Sequence, residues 1–175
     1  VFSLAAAVGR ARALLGRVDD GVALITEFVK EAAARFSALG HSVRVSCLAE
    51  ALLAGNDLEG AWTRGQESLE YARRHNERGH EAWTLHILGD IAGRRRPDDV
   101  DETARFYRDA LAIAEPLGMR PAVAHCRLGL GELFRRAGRA DQAQAALREA
   151  AALFRDLGLD GLRERAEREI TTPSG

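Results

Sequence analysis

PAVAHCRLGLGELFRRAGRADQAQAALREAAALFRDLG, residues 121–158, contains two amphipathic runs split by one glycine. In the first run Leu130, Leu133, Phe134 and Ala137 fall on one face. In the second, Ala143, Ala146, Leu147, Ala150 and Phe154 do the same. Apolar residues recurring three and four positions apart mark α-helices that bury one side. Gly138 divides the runs and Gly158 ends the second, each placed where a helix stops in the left-handed region that glycine enters without steric cost.

The same layout repeats through the chain. Gly40, Gly79, Gly118 and Gly158 are separated by 39, 39 and 40 residues. Inside each unit a second break falls at Gly16, Gly55, Gly93 to Pro97, or Gly138. First helices are expected at about 2–15, 42–54, 81–93 and 122–137. Second helices are expected at about 19–38, 58–77, 99–117 and 140–157, and a last helix at about 160–170. The stripes Ile25, Phe28, Val29, Ala32, Phe36 and Phe106, Ala110, Ile113, Ala114, Leu117 support the second helices of units one and three.

Composition agrees. Of 175 residues, 32 are Ala and only 4 are Pro, and aromatic residues are 6%. Ala, Leu, Arg and Glu favour helix, and the scarce β-branched residues leave a sheet without its usual material. The formal net charge of −1, from 25 basic and 26 acidic residues, speaks against a nucleic-acid module, which carries a basic patch. No run of about 18 apolar residues is present, so no membrane span is expected. Cys47 and Cys126 stand far apart, which fits free thiols in a reducing, cytoplasmic setting. The chain opens at Val1 inside a helical pattern, as expected of a piece of something longer.

Superposed, the units share small residues at matching places. An apolar residue precedes a small one at Val8-Gly9, Leu48-Ala49, Leu88-Gly89 and Leu130-Gly131. Gly21, Ala61, Thr103 and Ala143 follow in the second helices, then Ser68, Ala110 and Ala150, while Phe28 at that place in unit one departs from the pattern, as in an atypical terminal repeat. Small side chains there let paired helices approach closely. This arrangement resembles the tetratricopeptide repeat (TPR) over about residues 2–158. The resemblance implies an all-α, right-handed solenoid of about four helix pairs plus a C-terminal helix. The expected domain is 1–170, with units at about 2–38, 42–77, 81–117 and 122–157, a final helix at 160–170 and a flexible tail at 171–175.

A narrower resemblance lies in 81–136. Glu81-Ala82-Trp83, Leu88-Gly89-Asp90-Ile91-Ala92, Pro97-Asp98-Asp99-Val100, Tyr107-Arg108-Asp109-Ala110-Leu111, Leu117-Gly118-Met119-Arg120-Pro121 and Ala124-His125-Cys126-Arg127-Leu128-Gly129-Leu130-Gly131 follow in order. They look like the C-terminal TPR array of bacterial multidomain regulators that carry cyclase-like and P-loop ATPase domains upstream. That implies a regulatory or scaffolding role and transfers no catalytic residue.

A search for chemistry finds little. The only lysine, Lys30, lies mid-helix with no glycine-rich phosphate loop. Gly129-Leu130-Gly131 lacks a third glycine and a preceding strand, as a dinucleotide site would need. No His-Glu-x-x-His or Cys-x-x-Cys is present, so neither a metal nor a cofactor is expected. Serine nucleophiles lack the strand-to-helix elbow. His86 and His125 come close if adjacent first helices stack, and Cys126 adds a third soft ligand, but scattered groove-wall groups account for them more simply. Arg94-Arg95-Arg96 before Pro97-Asp98-Asp99 reads as charge matching to two helix dipoles, with a contact loop as the alternative. The Arg- and Glu-rich run 161–169 reads as a solvated helix face.

The first helices of such a superhelix line a concave wall. Facing it are Ser3, Ala6, Arg10 and Ala13 in unit one, and Val43, Ser46, Glu50 and Leu53 in unit two. Unit three contributes Trp83, His86, Asp90 and Arg94. Unit four contributes His125, Leu128, Glu132 and Arg135, with Arg136 beside them. Trp83 stands either as an interface anchor, where Trp and Arg concentrate binding energy, or as packing between repeats. The Lys, Asn and Arg clamp of some TPR grooves finds Ala6, Arg10, Cys47, Trp83 and Ile87 at its places, so a carboxylate-tail ligand is not expected. The expected role is non-catalytic: a protein or peptide partner in the groove, with a ligand sensor or a homodimerisation module as alternatives.

Overall fold

The computed structural model describes residues 4–34 and 40–171. The expected helix start at 2, Ser3, Phe36 and the tail beyond Thr171 lie outside the described residues. Those described form an all-α array of nine helices: α1 (Leu4–Leu14), α2 (Val18–Ala34), α3 (His41–Ala54), α4 (Leu58–Arg74), α5 (Arg78–Arg95), α6 (Val100–Ala114), α7 (Arg120–Arg136), α8 (Ala140–Asp156) and α9 (Asp160–Thr171).

Between helices the chain reverses on a residue with positive φ. Gly16, Gly40, Gly118, Gly138 and Gly158 have φ between 63° and 86°. Two expected stops are corrected. Gly79 lies inside α5, and the turn before it falls on Asn76 at φ 54°. Gly55 keeps φ −81°, and Asn56 at φ 62° takes the left-handed place. Asn tolerates that region because its short side chain bonds locally. Gly55 is needed for space instead, since a Cβ there would lie 2.5 Å from Val18 Cγ1. The α5–α6 junction differs, running through Arg96-Pro97-Asp98-Asp99 before the Asp99 side chain caps the Glu102 N–H at 3.2 Å.

Helices pair as α1–α2, α3–α4, α5–α6 and α7–α8, and each second helix also packs on the next first helix. First helices touch one another in sequence: α1 on α3, α3 on α5, α5 on α7. Among the described residues the second helices make no comparable contact with one another. A stack whose neighbours close up on one side and spread on the other curves toward the close side. The first helices therefore form the inner wall.

The small residues are where helices touch. A Cβ on Gly21 would meet Gly9 O at 2.4 Å, and one on Gly131 would meet Leu147 Cγ at 2.5 Å. Ala49 and Ala61 are fully buried. Interior helices bury wide faces: α5 hides Ala82, Leu85, Ile87, Leu88, Ile91 and Ala92. The core is three successive clusters rather than one centre. The largest is built on α3 to α8, flanked by a cluster on Ala13, Ile25, Leu48 and Ala51 and one on Leu128, Leu147, Phe154 and Ala166.

Candidate functional site

The inner wall carries an equivalent residue on each first helix, at Arg10, Glu50, Asp90 and Glu132. Arg10 Nη1 donates to both oxygens of Glu50, at 3.0 and 3.2 Å, tying α1 to α3. Burial raises the Glu50 carboxyl above its ordinary range, against the pull of Arg10. Glu132 is likewise raised by burial and is held by Arg165 of α9 at 2.8 and 2.9 Å.

Trp83, His86, Asp90 and His125 come together between α5 and α7. The Trp83 ring meets His86 at 5.4 Å and His125 at 5.6 Å, both edge-on, and the two imidazoles stack at 5.5 Å. Trp83 is half-buried, and its ring packs against His125 of the next repeat, as the packing alternative expects, while part of the side chain stays exposed. His86 is only 6% exposed, so it lies under the wall surface rather than on it. Burial, then the neighbouring His86, lowers His125 to about 4 and keeps its ring neutral.

Other candidates hold the array together. Arg94 donates to the Leu53 carbonyl of α3 at 3.1 Å. Arg95 forms a two-point pair with Glu59 at 2.8 Å and lies 4.6 Å over the Trp62 ring. Arg96 bonds Glu102 at 3.2 Å. The charge run is thus absorbed by contacts inside the chain. Arg135 pairs with Glu169 of α9 at 2.5 Å, and Arg136 is exposed beside Gly93. Leu128 is buried in the C-terminal cluster and does not face the groove.

Three participants were not singled out from the sequence. Tyr107 of α6 reaches the wall and donates its hydroxyl to Asp90 Oδ1 at 2.6 Å. Arg165 and Glu169 of α9 cover Glu132 and Arg135, which corrects the reading of 161–169 as merely solvated. The signal for Tyr107 is the glycine pair around it: a Cβ on Gly89 or Gly129 would lie 2.7 or 2.6 Å from its ring.

Among the described residues no three His, Cys, Asp or Glu side chains are grouped to hold a metal ion. Nor is any described helix long and apolar enough to cross a membrane. Among the described residues the wall thus carries one half-exposed indole, Trp83, and one carboxylate of the Glu50, Asp90, Glu132 row without a guanidinium partner, Asp90.

The tetratricopeptide repeat family model matches residues 95–156, from the end of α5 through α8. Among solved structures the chain is similar to aspartyl phosphate phosphatase F from Bacillus subtilis, with TM-score 0.74 and 15% identity. That match covers 91% of this chain and 42% of the phosphatase, so the chain spans less than half of that relative's length. It is also similar to two structures of nearly identical TPR-like repeats from a Podosopora anserina kinesin light chain. Their TM-scores are 0.69 and 0.66, with 16% and 14% identity. They cover 94% and 97% of this chain, and 81% and 94% of the other. These likenesses show the TPR-like solenoid fold. No curated protein matches the chain in sequence.

Proposed function

We propose that the chain is a non-catalytic interaction module, and that a protein or peptide segment lies along the wall of α3, α5 and α7. The observation that carries this is Trp83, a half-exposed indole on the inner wall, fixed in orientation by His86 and His125. A rigid aromatic set offers contact area at low entropic cost, which is how interface anchors work. The fold adds support, since stacked helix pairs present a long concave surface.

The resemblance of 81–136 to TPR arrays of bacterial multidomain regulators supports a place in a larger cytoplasmic signalling protein. In that setting the module relays the presence of its partner. The phosphatase and kinesin light chain similarities show only that this solenoid recurs in proteins of different kinds.

The test compares the chain with Trp83→Ala and with Asp90→Asn in affinity capture from the source cells. Partners retained by the wild type and lost by both variants, at unchanged helical content, support the groove. Equal retention by all three refutes it.

Self-association is the second reading, favoured by Leu4, Leu14 and Leu15, which are 67%, 62% and 82% exposed at the α1 end. Light scattering over a concentration series decides it: a mass that stays at 19.0 kDa removes this reading.

A further inference from the structure

Glu50, Asp90 and Glu132 occupy matching places on α3, α5 and α7, and Asp90 acts electrostatically on both neighbours. The chain supplies a guanidinium to each outer member, from Arg10 and from Arg165. The middle member has none. Among the described residues Asp90 accepts the Tyr107 hydroxyl on Oδ1, while Oδ2 has only His86 Nε2 at 3.8 Å, beyond hydrogen-bond range. Its side chain is 38% exposed, against 18% for Glu50 and 17% for Glu132.

His86 gives an independent sign. It is nine-tenths buried, yet neither ring nitrogen has a hydrogen bond among the described residues. Nδ1 is fully enclosed and unpartnered, and Nε2 faces the open oxygen of Asp90. Buried polar groups without partners are costly and call for an explanation. A donor nitrogen about 2.9 Å from each atom would bridge Nε2 and Oδ2 and give Nε2 the partner it lacks, with the ring proton then on Nδ1.

Resting on the groove reading above, we propose that Asp90 and His86 are the recognition subsite for one basic side chain, arginine or lysine, of a bound peptide segment. The incoming cation does for Asp90 what Arg10 does for Glu50 and Arg165 for Glu132. Its N–H groups donate to Asp90 Oδ2 and His86 Nε2, and Trp83, seven positions back on the same stripe, takes the aliphatic stem. Charge complementarity selects the occupant. With Glu50 and Glu132 already paired to Arg10 and Arg165, the row leaves one uncompensated negative charge, at Asp90, which disfavours an acidic segment, and the nearby Arg94 is engaged with the Leu53 carbonyl.

A displayed library of random dodecapeptides, selected on the immobilised full chain, tests this. Enriched peptides are expected to share Arg or Lys at one position. Replacing that residue by Gln in a synthetic peptide should weaken binding about tenfold, as for a lost charged hydrogen bond. Asp90→Asn, which keeps an acceptor for Tyr107, should lose the same factor toward the basic peptide and nothing toward its Gln form. If that variant melts early, the Gln replacement alone decides. Enriched peptides that depend on Trp83 but carry no fixed basic residue, or an acidic one, overturn the subsite and leave the groove standing. Failure of the wild type to enrich any peptide overturns both.

Discussion

The Tyr107 hydroxyl donates to Asp90 at 2.6 Å although the two residues belong to helices on opposite layers of the array. The phenol passes between α5 and α7 through the space left by Gly89 and Gly129, whose missing side chains are filled by its ring. One second-layer residue thereby sets the orientation of the only wall carboxylate of the Glu50, Asp90, Glu132 row without a guanidinium.

Gly89→Leu should therefore displace Tyr107 and cost about 1–3 kcal/mol, the usual penalty of overpacking. Gly131→Leu should be at least as harmful, because it meets Leu147 including its backbone nitrogen at 3.2 Å. Tyr107→Phe should fold and lose about 1.5–3 kcal/mol, the worth of a hydrogen bond to a charged group. Urea melts of the three variants check this order, and an unchanged midpoint for Gly131→Leu would refute the close contact.

Matching repeat positions should differ in cost by their neighbours. Leu88 is fully buried in unit three, and Val8, at the same place in unit one, is 38% exposed because no helix lies on that side among the described residues. Leu88→Ala should lose about 2–5 kcal/mol, as large core truncations do. Val8→Ala should stay within about 0.5 kcal/mol, as surface changes do. Chemical denaturation of the pair reads the difference directly.

Acid should weaken the fold through His125. Its native value is lowered from 6.5 to about 4 by burial, so between those values the unfolded chain binds the proton and the native one does not. Stability thus falls as pH drops through that window, by at most about 3 kcal/mol from this residue. Glu50 and Glu132 oppose it. Their native values are raised by burial, so the folded state takes up protons more readily and gains stability on acidification. His125→Asn removes the first effect alone. Its melting temperature should fall less than that of the wild type between pH 6.5 and 4, and parallel profiles would refute the assignment.

The thiols should be inert while the protein is folded. Burial pushes Cys126 up to about 12, and burial with the nearby Glu50 pushes Cys47 up to about 11. The thiolate is the reactive species. Ellman's reagent at pH 8 should release almost no colour from native protein and two equivalents in denaturant. Rapid labelling of the native chain would contradict the burial.

The helix pairs were legible because glycine spacing and apolar periodicity are local signals. Gly9, Gly89 and Gly131 could be read as contact points for the same reason. What enters the space beside Gly89 could not be read, since the approach of Tyr107 depends on the rotation of α6 against α5 and α7, and one residue of phase moves a side chain by about 100°. That also explains His86, read as a wall residue and found beneath it. The role of α9 was hidden for another reason. Its sequence shows many charges, and only the stack shows that Arg165 and Glu169 meet Glu132 and Arg135. Gly55 and Gly79 were read as stops because glycine dominates that role, while Asn56 and Asn76 fill it here.

Every helix-to-helix packing contact of substance in this array is between elements of one unit or of adjacent units. A chain knitted that way can gain or lose a hairpin at its turns without unpicking a shared centre. The length of the wall then becomes a quantity that duplication of a single 39-residue segment can adjust.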